Sequence, residues 1–246
     1  MTGVSSVDVA NGSTPEVPAK GRGRVLVIGC GALANEMLAL VRASGLRDID
    51  VTCLPAKLHQ RPAGIPEAAR TKIRAGREQG YERIFVAYAD CGTYGLLDTV
   101  LDEEGVERLP GAHCYEFYSG SAAFEAMTDA EPATFFLTDY LARNFERLVI
   151  GGLGIDRHPE LLPMYFGNYR RIVYLAQSDD PVALTLARAA ADRLGLVFEL
   201  RRTGLAPFAT AMAAMTGRSA LTVVEAPGAH MRASRAAGAG DAAGAA

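Results

Sequence analysis

Residues 25–31 read VLVIGCG, a short apolar run that gives way to glycine and Cys30. A second run, residues 84–90, reads IFVAYAD and leads directly into Cys91. Runs of this length, rich in β-branched and aromatic residues and bounded by glycine or polar residues, are typical of buried strands. A segment with helical spacing follows each run. The stretch therefore predicts an α/β fold with a mainly parallel sheet and helices on both faces.

The alternation of short and long patterns continues to residue 215. The predicted strands are residues 25–28, 49–54 and 84–88, a short run near His113, and residues 147–150, 172–175 and 196–200. The predicted helices are residues 33–41, 66–79, 94–101, 135–141, 182–194 and 206–215. One large domain fits this pattern, and so do two related Rossmann-like halves around a cleft, residues 23–130 and 131–230. Residues 25–31 weakly match residues 148–154. Duplication explains this match, but a shared preference for strand, turn and helix explains it just as well.

The 246-residue chain is 49% hydrophobic and 22% charged, which is typical of globular proteins. Small and polar residues dominate residues 1–22 and 231–246, so we expect disordered tails on either side of a folded unit at residues 23–230. The net charge of -3 provides no positive field for nucleic acid, so none is expected as a partner. No apolar stretch reaches the roughly 20 residues that span a bilayer, and no signal peptide is evident.

These properties predict a cytoplasmic protein that does not associate with membranes and whose partners are small molecules or proteins. The chain has four cysteines. In the cytoplasm they are kept mostly reduced, so we interpret them as ligands, as a nucleophile or as buried apolar residues rather than as disulfides.

Three of the cysteines, Cys30, Cys91 and Cys114, occur where an apolar run breaks into glycine or polar residues. Parallel strands end at one edge of a sheet, where α/β proteins bind ligands, so we expect the three sulfurs to converge. His59 lies just beyond the second strand, and His113 directly precedes Cys114. Zinc takes Cys and His ligands in tetrahedral geometry. All five residues are therefore candidate metal ligands, with zinc as the expected metal.

Each of these residues also has a simpler explanation. Cysteine is among the residues most often buried, so the thiols can be packing residues, as we expect for Cys53 within its strand. A single loop histidine such as His59 more often packs or faces solvent. Three independent placements at strand ends favour a shared site over packing.

Glycines near the cysteines suggest a ligand-binding role for the backbone. Gly29 and Gly31 allow the chain to approach a ligand closely, and Gly92 permits a tight turn. The dinucleotide fingerprint G-x-G-x-x-G is incomplete because Ala34 replaces its third glycine. No acidic residue ends the second strand, so NAD binding is disfavoured.

Charged residues beside these segments are candidates for acid and base chemistry. Asp90 and Glu116 are the predicted proton acceptors. In the second half, Arg157 and His158 follow a glycine-rich segment, and an arginine there suits a carboxylate or phosphate of a ligand. His158 precedes Pro159 and is explained slightly better as the start of a helix.

The segments around the cysteines together resemble the domain of unknown function 1638 (DUF1638) family. The matching pieces are Ile28-Gly29-Cys30-Gly31, Leu54-Pro55 followed by Leu58-His59 and Pro62, Tyr88-Ala89-Asp90-Cys91-Gly92, and His113-Cys114 leading to Ser119-Gly120. The resemblance spans nearly the whole folded region and carries over Cys30, His59, Cys91 and Cys114. It implies an association with corrinoid-dependent methyl transfer and methylated-amine metabolism.

Three hypotheses of function follow. The first is a zinc-binding protein that acts on a small molecule in methyl transfer or related one-carbon chemistry, with a corrinoid protein or a methyltransferase as partner, because zinc lowers the pKa of a bound thiol. The second is a non-catalytic protein whose cysteines handle a metal, an iron–sulfur cluster or a corrinoid. The third is a metal-free hydrolase or transferase in which Cys91 is the nucleophile and His113 the base.

Overall fold

The computed structural model describes residue 21 and residues 23–223. The tails predicted at residues 1–22 and 231–246 lie outside the described residues, apart from Gly21. The strands are β1 (Val25–Cys30), β2 (Ile49–Leu54), β3 (Arg83–Ala87), β4 (Glu107–Arg108), β5 (Thr134–Thr138), β6 (Arg171–Ala176) and β7 (Val197–Arg202). The α-helices are α1 (Ala34–Ala43), α2 (Ile65–Glu78), α3 (Leu96–Glu104), α4 (Tyr115–Ser119), α5 (Ser121–Ala130), α6 (Asp139–Arg143), α7 (Leu162–Phe166), α8 (Pro181–Leu194) and α9 (Ala206–Thr216).

The strands form two separate parallel sheets, one in the order β2-β1-β3-β4 and one in the order β5-β6-β7. Every residue of β1 is buried, as expected for a central strand covered on both faces. The predicted α/β class is confirmed, with two sheets in place of one. In the first sheet the strand order reverses beside β1, and this is where ligands bind in folds of this kind.

Helices cover both faces of the first sheet. Successive side chains of a strand point to opposite faces of the sheet, so Leu26 and Gly29 of β1 lie on opposite faces. A Cβ atom at Gly76 of α2 would lie 2.6 Å from Leu26, and one at Gly29 would lie 2.3 Å from the terminal methyl of Met37 in α1. Gly29 is therefore needed for helix packing.

The second half differs from the prediction in two segments. Residues 135–141 were expected to form a helix but contain most of β5 followed by the start of α6, because the apolar run pairs with β6 and Thr138 then caps α6 by accepting a hydrogen bond from the Leu141 N–H. Residues 147–150 were expected to form a strand but lie in a π-helical turn, Glu146–Ile150. The match between residues 25–31 and 148–154 is therefore not a structural repeat.

Each sheet has its own hydrophobic core. The first core includes Phe208 and Met212 of α9, so the C-terminal helix returns to pack against the first half. The second core lies between the second sheet, α6 and α8. Among the described residues, no helix has the length and apolar character needed to cross a bilayer.

Candidate metal centre

The loop that follows β3 brings two cysteines together. The Asp90 and Cys91 N–H groups donate hydrogen bonds to the carbonyl oxygens of Gly111 and Ala112, at 3.1 and 2.9 Å. This pairing places the loop beside Cys114, and the Cys91 and Cys114 sulfurs lie 3.2 Å apart. Residues 23 positions apart in sequence thus share one site.

The backbone at Cys91 is strained. Its φ of 49° lies in the left-handed region, which residues other than glycine rarely adopt. The Asp90 carboxylate stabilises the turn by accepting hydrogen bonds from the N–H groups of Gly92, Tyr94 and Gly95 and from the Thr93 hydroxyl. Although burial opposes it, these donors lower the pKa of Asp90 below its ordinary value.

His59 completes a set of three donor side chains. It lies in a 3-10 turn after β2, Ala56–Gln60, and its ring stacks on Tyr88 with the ring centroids 5.7 Å apart. The Nδ1 atom lies 3.1 Å from the Ala56 carbonyl oxygen, a contact that orients the imidazole. Three ligand atoms, a ring nitrogen of His59 and the sulfurs of Cys91 and Cys114, all lie within 4.8 Å of one another.

The three groups perturb one another's protonation. The Cys114 thiol donates a hydrogen bond to the Cys91 sulfur, and with His59 this lowers the pKa of Cys91 to about 5, although burial opposes the change. The same hydrogen bond, together with burial, raises the pKa of Cys114 well above its ordinary value. Desolvation lowers the pKa of His59, but the Cys30 and Cys91 sulfurs outweigh it, and the net pKa is well above the ordinary value.

The other two predicted ligands lie beside this set. Cys30 caps the turn after β1, its sulfur accepting a hydrogen bond from the Ala32 N–H at 3.3 Å, and it is 3.9 Å from His59 Nδ1. His113 is exposed and packs its ring against Tyr115 and Phe124. The expected convergence therefore holds for Cys91 and Cys114, whereas Cys30 is a neighbour of the group of three. Cys53 is buried within β2, as predicted.

A cleft of about 420 Å³ separates the donor set from the second half of the chain. One wall carries all the candidate ligands, including Cys30 and His113. The facing wall comes from β5, α6, α7 and the segment between the last two; its residues are Phe135, Thr138, Tyr140, Leu141, Leu148, Val149, Leu153 and Phe166. The donor set thus opens onto a largely apolar space.

Neither predicted proton acceptor borders the cleft. The Asp90 carboxylate holds the turn around Cys91. The Glu116 carboxylate accepts hydrogen bonds from the N–H groups of Ala112 and His113, at 2.7 and 3.2 Å. In the structure both side chains therefore position the loops that carry the cysteines.

The predicted glycines have different roles. Gly92 borders the cleft and has a φ of 83°, which favours glycine. Gly29 and Gly31 do not border the cleft. A Cβ atom at Gly31 would lie 3.0 Å from the Leu54 carbonyl oxygen, so this glycine allows β1 and β2 to end close together.

The charged residues predicted in the second half lie away from the cleft. Arg157 and His158 have 76% and 60% of their side chains exposed, and neither borders the cleft. Their nearest partners are acidic neighbours, Asp156 and Glu160. The structure thus brings His59 to the cysteines and leaves Arg157 and His158 on the surface.

The sequence pattern does not predict the stacking role of Tyr88 or the apolar wall of the cleft. Tyr88 ends the run before Asp90, so its position at the sheet edge was the available signal. Leu148 and Leu153 belong to a segment that the sequence predicts to be a strand and a turn. That prediction gives no indication that the two side chains face the cysteines across the cleft. Their placement depends on the arrangement of the two sheets.

The donor set matches the preferences of zinc. Two sulfurs and one imidazole are zinc ligands, and three protein ligands leave one position of a tetrahedron open. Cys91 is buried, Cys114 is half-buried and His59 is exposed, so the set is accessible from one side. The set is also suited to thiol chemistry, since the Cys91 thiolate lies beside the His59 side chain, which lowers its pKa.

The family model described as "Protein of unknown function (DUF1638)" matches residues 53–212, more than half of the 246-residue chain. The matched region includes His59, Cys91 and Cys114, whereas Cys30 precedes it. No curated protein and no solved structure gives a significant match. The chain therefore belongs to the family of proteins described as DUF1638.

Proposed function

We propose that this protein binds zinc through His59, Cys91 and Cys114 and transfers a methyl group to a small thiol. One observation carries the proposal: three side chains from separate loops present ligand atoms within 4.8 Å of one another at the edge of a cleft. A packing role for the thiols does not require an imidazole beside them. Zinc would supply Lewis-acid stabilisation that lowers the pKa of a thiol at the open position.

The proposed reaction is a nucleophilic substitution at the methyl carbon. The substrate thiol loses its proton to solvent, its sulfur forms a bond to the methyl carbon, and the bond between that carbon and the donor breaks. The electron pair of the broken bond stays with the donor. The resemblance to the DUF1638 family implies a methylcobalt(III) corrinoid as the methyl donor. The leaving group would then be the cobalt(I) form of the corrinoid. Because the cleft is only about 420 Å³, the corrinoid would be presented by a partner protein.

Metal content tests the proposal first. Protein purified without chelators should contain one zinc per chain, and Cys91→Ser should lower occupancy at least tenfold because a hydroxyl replaces a soft thiolate ligand. Cys53→Ser is the matched control, since Cys53 is buried within β2, does not belong to the donor set and does not border the cleft. Absence of stoichiometric metal from the wild-type protein would overturn the proposal.

Methyl transfer tests the second part. Zinc-loaded protein, incubated with a methylated corrinoid protein and a thiol, should form the methyl thioether and release cobalt(I), which is visible by absorbance. Bound zinc without any transfer would favour a non-catalytic role in handling metal or corrinoid. Transfer that survives complete removal of zinc would contradict the proposed role of the metal.

A metal-free cysteine nucleophile is the second candidate, and the low pKa of Cys91 favours it. The base beside Cys91 is His59, whereas the sequence suggested His113. A free nucleophile predicts that iodoacetamide alkylates Cys91 faster than the other thiols. Because the Cys91 pKa is about 5, the rate should stay near its plateau at pH 7 and halve only near pH 5. Protection of Cys91 by bound metal would eliminate this candidate.

A further inference from the structure

The walls of the cleft restrict what can reach the donor set. The cleft residues include no aspartate, glutamate or arginine, and Lys57 is the one lysine among them. Lys57 is exposed, so its charge is already well solvated. The other charged groups at the cleft, Cys91 and His59, belong to the donor set, and the facing wall carries none. A charged group placed against that wall would therefore lose hydration without gaining a buried partner of opposite charge.

The facing wall offers mainly apolar contacts. Leu141, Leu148 and Leu153 are half-buried without a ligand, so each still exposes apolar surface towards the cleft. Phe135 and Phe166 extend the same wall. Burying further apolar surface here would stabilise a complex by about 0.8 kcal/mol per methylene group, which is about a fourfold change in affinity.

The size of the cleft sets an upper limit on the ligand. Small-molecule sites span roughly 300–1,000 Å³, so a cleft of about 420 Å³ lies near the lower end. This excludes a corrinoid and favours a ligand smaller than most drug-sized molecules.

We propose that the cleft selects an uncharged thiol with an apolar body, which lies between the donor set and the wall formed by Leu141, Leu148 and Leu153. The thiol group of the proposed ligand rests on the proposed zinc-dependent function. The apolar body of the ligand rests only on the residues that line the cleft. The second half of the chain thus determines substrate specificity, and the first half holds the reacting sulfur.

A thiol series tests the proposal in protein substituted with cobalt(II), whose absorbance reports on sulfur binding. From ethanethiol to butanethiol to hexanethiol, the Kd should fall about fourfold for each added methylene. Two charged thiols of similar length, 5-mercaptopentanoate and 5-aminopentane-1-thiol, should bind at least tenfold more weakly than hexanethiol. Affinity that is independent of chain length, or equal for charged and uncharged thiols, would overturn the proposal.

A charge placed on the facing wall gives a second readout. Leu153→Glu should weaken hexanethiol binding at least tenfold, have a smaller effect on ethanethiol, and strengthen binding of 5-aminopentane-1-thiol. Leu184→Glu is the matched control because Leu184 is half-buried against the second core and does not border the cleft. If Leu153→Glu does not fold, Leu148→Glu makes the same test. Unchanged thiol preference in a folded variant would contradict the assignment of this wall.

Failure of the metal site can be separated from failure of the cleft. If the wild-type protein binds neither zinc nor cobalt, the proposed function fails, and the cleft is tested in metal-free protein with alkyl methyl sulfides by ligand-observed NMR. The same dependence on chain length, lost in Leu153→Glu, would support the apolar site. Its absence would overturn the inference independently of the metal.

Discussion

Cys91 combines a strained backbone with an ionised side chain. Its left-handed conformation costs free energy, and four hydrogen bonds to the Asp90 carboxylate compensate by fixing the turn. The geometry directs the sulfur to within 3.2 Å of Cys114. Strain of this kind, kept beside reactive groups, is typical of a preorganised site.

Cys30 and Cys114 should respond differently to substitution. Cys114→Ser should lower zinc affinity at least tenfold because it removes one of the three donors, whereas Cys30→Ser should retain stoichiometric zinc. The serine at position 30 would still accept a hydrogen bond from the Ala32 N–H, so the turn after β1 should persist. Competition with a chromophoric chelator measures both affinities. Equal losses in the two variants would show that Cys30 is a fourth ligand.

At the scale of elements, the turn after β3 links fold to site. Asp90→Ala should lower the free energy of unfolding by about 2 kcal/mol, because several backbone donors lose a charged acceptor. Asp90→Asn keeps one acceptor oxygen and should lose less. Denaturant unfolding measures both changes. A general base at this position would instead make Asp90→Asn fully stable but inactive in methyl transfer.

Strands β1, β2 and β3 and most of the donor set could be predicted from the sequence because their signals are local. The strand expected near His113 is wrong, since the first sheet ends with β4 at Glu107–Arg108 and His113 lies in a bend. The apolar runs that become β1 and β3 end in glycine or at the Asp90 turn, which marks Cys91 as a residue of the sheet edge. Residues 135–141 were misread because a short apolar run fits a strand and a helix equally well, and pairing with β6 decides between them. Proximity of His59 to Cys91 also depends on tertiary contacts that no spacing reveals.

At the scale of the whole molecule, the two halves meet around the cleft and through a few polar contacts. The Gln60 side chain donates a hydrogen bond to the Leu148 carbonyl oxygen at 3.4 Å, which joins the His59 turn to the facing wall. Elsewhere, Glu36 of α1 is buried within range of the negative charge of Asp139 at the start of α6. One oxygen of Glu36 and the hydroxyl of Tyr118 have no hydrogen-bond partner among the described residues. An ionised Glu36 is therefore unfavourable at this contact between the halves.

Burial, assisted by Asp139, raises the pKa of Glu36 to about 7. In the unfolded chain the pKa of a glutamate is about 4.3, so between these values the folded protein holds a proton that unfolding releases. Stability should therefore fall as the pH rises from about 4.3 to about 7 and level off above this range, by at most about 4 kcal/mol for this group. Glu36→Gln keeps the shape without the charge and should remove that part of the decrease.

Denaturant unfolding at pH 5 and pH 8 measures the difference between the two proteins. The free energy of unfolding of Glu36→Gln minus that of the wild type should be larger at pH 8 than at pH 5. Glu160→Gln, at an exposed glutamate, is the control and should follow the wild-type curve. Parallel pH profiles for wild type and Glu36→Gln would show that Glu36 is ionised in the folded protein throughout this range, and that the contact between the halves tolerates both charges.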